Sequence, residues 1–425
     1  MAGTIGIICS IPGQTMGVSV FTDHLIENLE ISRTSLGMAY LVGTIFSGFL
    51  VSWMGRWLDR NGLREGAVVS GLGLGCALLL LSQIDRVARF LSPGVSDLLD
   101  TWIKFGAITA AFFFLRFFGQ GLMTLASRNM IAKWFDLFRG RVTAISGIIA
   151  SFAFSTAPWA LERMIADLGW RSTWILLAVG CGFALMVFAA LIFRDNPEEC
   201  GLEMDAGRKP KLGARVNEDN RVVREFTKSE AIRTYSFWVY NLSIGLQGFF
   251  ITGYTFNLTS IASDLGVSES VMLGAFMPAA AIGVLVSAGL GWLIDYTRMK
   301  YAFQIFCIGL ILAPSSLLLT PHPSAIVLLI VGMGIAGGAF APIMGTVWAR
   351  FYGRSALGAI SGFNMSSIVI ASAFGPIVFS LSLEYTGSYR AAIWLGLFFA
   401  ITLMFAGFFA DNPQRRIQRE ESERG

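Results

Sequence analysis

An apolar run of about 20 residues is long enough to cross the hydrocarbon core of a bilayer as a helix, and this chain repeats such a run along its whole length. Twelve runs are read, at 3–24, 34–54, 66–84, 106–131, 142–161, 172–193, 236–258, 270–294, 301–320, 325–350, 356–381 and 391–410. Backbone in lipid finds no water to bond, so runs of this length satisfy their own amides as helices. Only 14% of the residues are charged, and that shortage extends from end to end. A soluble domain carries roughly 25%. The expectation is an all-α membrane protein of twelve transmembrane helices, not a soluble domain with one anchor.

The chain also repeats itself. Ala144-Ile145-Ser146-Gly147 returns as Ala359-Ile360-Ser361-Gly362, and Asp195-Asn196-Pro197 as Asp411-Asn412-Pro413. Gly55-Arg56-Trp57-Leu58-Asp59 has a looser copy in Gly291-Trp292-Leu293-Ile294-Asp295. This doubling implies two six-helix pseudo-symmetric halves, 1–193 and 236–410, with a cytoplasmic linker at 194–235 and a tail at 411–425. Parallel repeats of this kind build transporters that rock one half against the other. The spacing between copies shortens by about 20 residues after the third span, which reads Asp85–Lys104 as an extra outside loop. Within the linker, Thr227-Lys228-Ser229-Glu230 has capping-box spacing and predicts a short helix leading into the seventh span.

Basic residues orient the spans. With both termini inside, 23 of the 32 Lys and Arg fall on the inner side and seven on the outer. The positive-inside rule then puts both termini in the cytoplasm, and the short loops suit a bacterial inner membrane. The net charge of +4 reports topology and implies no nucleic-acid partner. The first run lacks a basic leader and a small-residue cleavage site, so it reads as a span rather than a signal peptide. Pro12-Gly13 marks a place where that helix breaks and exposes carbonyls. The five cysteines have no ligand spacing, so neither metal nor cofactor is expected, nor a disulfide. HExxH, GxSxG and Walker sequences are missing, which argues against an enzyme. A monomer in the bilayer is expected.

The ten residues from Gly55 to Arg64 resemble the loop signature between the second and third spans of the major facilitator superfamily. Gly55, Asp59, Gly62 and Arg64 occupy its Gly, Asp, Gly and basic places, while Trp57 and Leu63 depart from it. The second copy keeps Gly291, Asp295 and Lys300. The resemblance implies that Gly55, Asp59, Arg60, Gly62 and Arg64, with Asp295, form a conformational latch. There a carboxylate faces a helix N-terminus and the loop arginines pair with it. Gly169-Trp170-Arg171, the run 194–202 and Glu230-Ala231-Ile232-Arg233 resemble the monocarboxylate and oxalate–formate branch of that superfamily.

Arg116 is the sharpest candidate for substrate contact. It lies ten residues into the fourth span, where a charge costs at least about 2.5 kcal/mol unless it faces a cavity or a partner. On an α-helix, Arg116, Gln120, Thr124 and Ser127/Arg128 form one polar stripe. The repeat places Gly332, Ala336 and Met344 at the corresponding positions, so the stripe is not part of the duplicated scaffold. Gln14, Asn241, Gln247, Tyr254 and Asn364 are the other candidates, each equally readable as interhelical glue. No Asp or Glu falls mid-span: Asp23, Glu162, Asp295 and Glu384 lie at helix ends. A cavity carrying fixed positive charge suits an anion with arginine as its counter-ion. The expected function is alternating-access transport of a small organic anion, a monocarboxylate or dicarboxylate, by proton symport or anion exchange. Efflux of amphipathic compounds and a non-transport sensor are the rivals.

Overall fold

The computed structural model describes residues 1–94, 96–208, 221–322 and 324–422, so linker residues 209–220 and the last three of the tail lie outside the described residues. Every regular element among the described residues is helical. Among the described residues, ten helices are long and apolar enough to cross a membrane. We label the main helices α1 (Ala2–Cys9), α2 (Arg33–Asn61), α3 (Leu63–Ser82), α4 (Asp97–Trp134), α5 (Arg139–Leu168) and α6 (Trp170–Ile192). They continue as α7 (Tyr235–Phe256), α8 (Phe276–Tyr296), α9 (Met299–Leu318), α10 (Ser324–Tyr352), α11 (Leu357–Thr386) and α12 (Arg390–Gly407).

Two of the twelve expected spans differ from the other ten. The first is not one helix over 3–24: after α1 come a short turn at Ile11–Gly13 and helices at Thr15–Ser19 and Thr22–Leu29. Pro12 removes an amide donor and Gly13 is permissive, so the chain breaks there as expected. The seventh is a continuous helix of 22 residues, but its Tyr, Asn, Gln and Ser content lowers its hydropathy.

The helices form two compact units. One comprises residues 1–130 and 149–200, the other residues 131–148 and 201–425. At one end of the first unit Phe21 stacks on Trp174 at 3.7 Å, within a cluster built from Leu25, Leu78, Ile108 and Phe112. In the second unit Phe250, Tyr254, Leu317, Phe379 and Ile393 form the corresponding apolar core. The predicted capping box is present: Thr227 and Glu230 cap each other around the short helix Lys228–Ala231. Those hydrogen bonds from Thr227 hold the Glu230 carboxyl below its ordinary range.

The expected loop at 85–104 is corrected. It contains a helix, Ile84–Leu91, and α4 already begins at Asp97. Ile84 and Ala88 give the short helix an apolar face packed on the core. Its Asp85 is 3% exposed and accepts a two-pronged bond from Arg171, at 2.7 and 2.8 Å, and another from Arg89 at 2.5 Å. Arg171 also donates to the Ser82 carbonyl, tying α3, the short helix and α6 together. The Arg171 hydrogen bonds dominate and hold the Asp85 carboxyl down to about 2. A depressed carboxyl stabilises the fold above its unfolded value of about 3.9, and that contribution is lost as pH falls through the folded value. Asp85→Asn is therefore expected to lower stability by about 2 kcal/mol at neutral pH. Thermal melts should show the gap to wild type closing between about pH 4 and pH 2.

Candidate functional site

Arg116 sits where α4 changes its winding. Residues Arg116–Met123 form a π-helix before α-helix resumes at Thr124. Such turns carry i→i+5 bonds and recur at functional sites. The even stripe expected at i, i+4 and i+8 therefore does not continue through 116–123. A close backbone contact accompanies it. A Cβ on Gly13 would lie 2.7 Å from the Gly119 Cα and 2.8 Å from the Leu115 carbonyl oxygen. Only glycine at both 13 and 119 lets the break after α1 sit against the widened turn.

That contact gives Arg116 its surroundings. The residue is 2% exposed, and its Nη1 donates to the Gly13 carbonyl at 3.1 Å. Its guanidinium carbon lies 5.2 Å from the centre of the Tyr40 ring. Tyr40 is held in turn by its hydroxyl donating to Thr15 at 3.0 Å and by an edge contact to Phe112. The Arg116 Nε is buried with no hydrogen-bond partner, and no carboxylate among the described residues pairs with this arginine. A buried cation with one carbonyl bond and an aromatic face is short of negative charge.

Polar neighbours flank it along the chain. Gln14, next to Gly13, donates from Nε2 to Ser10 at 3.2 Å. Gln120 is half-buried and its Oε1 has no partner. Thr124 and Ser127 are buried with unpartnered hydroxyls. The first unit thus brings Arg116 together with the Gly13 carbonyl and with Tyr40, itself bonded to Thr15, whereas the Gln14 side chain is turned to Ser10. Pro12-Gly13 signalled the broken first helix. Tyr40 carries no sequence signal, because nothing in the pattern of α2 says which turn faces Arg116.

The candidates in the second unit are arranged differently. Asn364 donates from Nδ2 to Asn241 Oδ1 at 2.9 Å, and Asn241 donates to Ser367 at 3.1 Å, so α7 and α11 are joined by a chain of amides. Gln247 is half-buried one to two turns further along α7. Tyr254 is fully buried in the apolar core between Phe250 and Phe276, with its hydroxyl unpartnered.

The latch residues lie at the helix junctions. Gly55 is buried near the end of α2 and Asp59 is half-buried, whereas Arg60 is exposed. Gly62 joins α2 to α3 with φ +97°, a conformation that a side chain disfavours. The expected pairing of the loop arginines with Asp59 is corrected for Arg64. Its Nε and Nη2 donate to the Ala190 carbonyl at 2.9 and 2.5 Å. A cation is favoured at the carbonyl end of a helix, here α6. The Arg64 amide donates to Asp195 at 2.8 Å. In the second copy Lys300 lies 3.7 Å from Asp411. The duplicated Asp-Asn-Pro exits therefore meet the duplicated Gly/Asp loops, a link that the sequence does not display.

Asp295 is the fullest of these sites. Its carboxylate accepts from the amides of Gly140 and Arg141 at 2.8 and 3.3 Å, and from the Arg141 Nε at 2.9 Å. The buried Arg350 lies 3.9 Å away and donates to the Ile294 carbonyl. A Cβ on Gly140 would come 2.5 Å from the Gly291 carbonyl, which explains the glycine there. This carboxylate sits at the N-terminus of α5, where the helix dipole favours negative charge.

A model of the Major Facilitator Superfamily matches residues 3–333 and 305–425. The chain belongs to this superfamily. It is accordingly a multi-pass membrane protein of a secondary-transporter family. Among curated relatives, a probable L-galactonate transporter of Escherichia coli K12 is 23% identical over 383 residues, covering 86% of this chain and 79% of that protein. The solved structure of the proton:xylose symporter XylE, bound to 6-bromo-6-deoxy-D-glucose, is similar with a TM-score of 0.66 at 14% identity, covering 97% and 96% of the two chains. The human organic anion transporter MFSD10 is similar with a TM-score of 0.66 at 14% identity, covering 96% and 98%. At such identities the two structures speak for the superfamily fold alone.

Proposed function

We propose that this superfamily member exchanges small hydroxylated organic anions across a bacterial inner membrane, with both termini in the cytoplasm and Arg116 as counter-ion to the substrate carboxylate. The observation that carries this reading is the burial of Arg116 with no carboxylate among the described residues paired to it. A carboxylate ligand would supply the missing charge and accept from the free Nε, a pairing that the guanidinium fork favours. Gln120 and Gln14 offer amides to substrate hydroxyls. The named activity of the curated relative, transport of a hydroxylated monocarboxylate, points the same way. Exchange is favoured over proton symport because no carboxylate among the described residues pairs with Arg116 to take the substrate's place. An empty site then keeps its charge buried, and reorientation is easiest with an anion aboard. The amphipathic-efflux reading gives that buried charge no counter-ion.

Proteoliposomes loaded with unlabelled L-galactonate, gluconate, lactate or oxalate and presented with the labelled acid test the proposal. Uptake should be saturable and raised at least about 10-fold by internal acid, a size typical of coupled binding steps. A pH gradient alone should drive little. Strong drive by the pH gradient would replace exchange by symport. Competition by apolar cations with no carboxylate uptake would favour efflux instead, and the absence of any transport would leave the sensor.

A further inference from the structure

The linker carries a second clasp on the turn that Asp295 already holds. Asp205 is 5% exposed, and its Oδ2 accepts from the amides of Asp136 and Leu137 at 3.1 and 2.8 Å, while its Oδ1 accepts from Phe138 at 3.3 Å. With the two amides that Asp295 takes, five of the six backbone N–H groups from Asp136 to Arg141 donate to two carboxylates from separate elements. Asp205 and Ala206 both adopt φ +55°, a left-handed conformation that non-glycine residues avoid, and this turns the carboxylate inward.

The other end of the linker repeats the device. Glu225 Oε2 accepts from the amides of Arg354 and Ser355 at 2.7 and 2.9 Å. Arg139 and Arg354 each stand five residues before a copy of Ala-Ile-Ser-Gly, so the turns gripped by Asp205 and Glu225 are equivalent in the repeat. The Glu225 segment is itself anchored. Gln414 accepts from Val223 and Arg224 and donates to the carbonyls of Arg224 and Phe351.

We infer that Asp205 is a positioning residue of the transport cycle, the linker clasp that holds the turn before α5 and must release it for that turn to move, with Glu225 as its weaker counterpart before α11. Charge-assisted bonds to a helix N-terminus can be exchanged for water without opening an apolar core, which suits a contact made in one state and lost in another. This inference rests on membership of a transporter superfamily and is independent of which anion moves.

Hydrogen–deuterium exchange of the full chain in lipid nanodiscs tests it, with labelled L-galactonate exchange as a second readout. Asp205→Asn should speed amide exchange about 10-fold over 136–147 and raise it at 353–358, while leaving the Asp85 region unchanged. The maximal rate of L-galactonate exchange should shift several-fold, with KM within about twofold. Faster exchange confined to 136–138 with a wild-type transport rate would reduce the clasp to a loop staple and overturn the inference. If Asp205→Asn does not fold, Glu225→Gln, at an exposed residue, decides it by the equivalent measurement: amide exchange should speed over 353–362 with a several-fold shift in the maximal rate, and faster exchange confined to 354–355 with a wild-type rate would overturn the inference. If L-galactonate is not carried, the substrate reading fails and the spread of amide exchange alone judges the clasp.

Discussion

Arg116→Gln is expected to abolish anion exchange, lowering its initial rate at least about 100-fold in proteoliposomes. Removing one partner of a buried charge pair costs about 3–5 kcal/mol, and each 1.4 kcal/mol is tenfold. Gln keeps a polar end but has neither the charge nor the fork. Arg116→Lys keeps the charge while losing the planar fork and its contact with the Tyr40 ring, so it should retain a few per cent of the rate, with KM raised. The stability readout goes the other way. Among the described residues the buried guanidinium has one carbonyl bond and an aromatic contact and no carboxylate, so Arg116→Gln should leave the melting temperature equal or higher. A loss of function with unchanged or increased stability marks a site kept for binding. Full anion exchange in Arg116→Gln would sink the counter-ion role.

Asp295→Ala is expected to cost stability instead, by about 3–5 kcal/mol, because it leaves Arg350 buried without its nearest carboxylate. Asp295 and Arg350 side chains are each 1% exposed, so water cannot easily take the vacated place. The substitution also strips acceptors from the amides of Gly140 and Arg141 at the start of α5. Thermal unfolding in detergent should show a large drop, with partial recovery in the double variant Asp295→Ala/Arg350→Met, which removes the orphaned charge together with its partner. No recovery would mean that the Gly140 and Arg141 amides carry most of the effect. Asp295→Asn should lie between wild type and Asp295→Ala.

Much of this was legible in the chain. Membrane spans declare themselves because lipid imposes one simple rule on every residue in a run, and the capping box at Thr227 is a local matter settled within four residues. The break at Pro12-Gly13 was legible for the same reason. The helix at Ile84–Leu91 was missed because a polar amphipathic turn lacks the apolar length that marks a span; it is stabilised by Arg171, far away in sequence. The π-helical turn in α4 was invisible because its contact with Gly13, which approaches Gly119, exists only in the folded chain.

The sequence by itself determined the class, the doubling and the identity of the unusual residues: a charge at Arg116, carboxylates at Asp59 and Asp295, and paired Asp-Asn-Pro exits. Those follow from composition and from short-range rules of backbone and bilayer. Only the tertiary structure decided what each residue answers to. It gave Arg116 a carbonyl and a ring instead of a carboxylate, turned Arg64 to the end of α6, joined Asn241 to Asn364, and brought Asp205 and Asp295 onto one turn. Hydrogen bonds and charge pairs act over a few ångströms, and which groups come that close is a property of packing that no local pattern encodes.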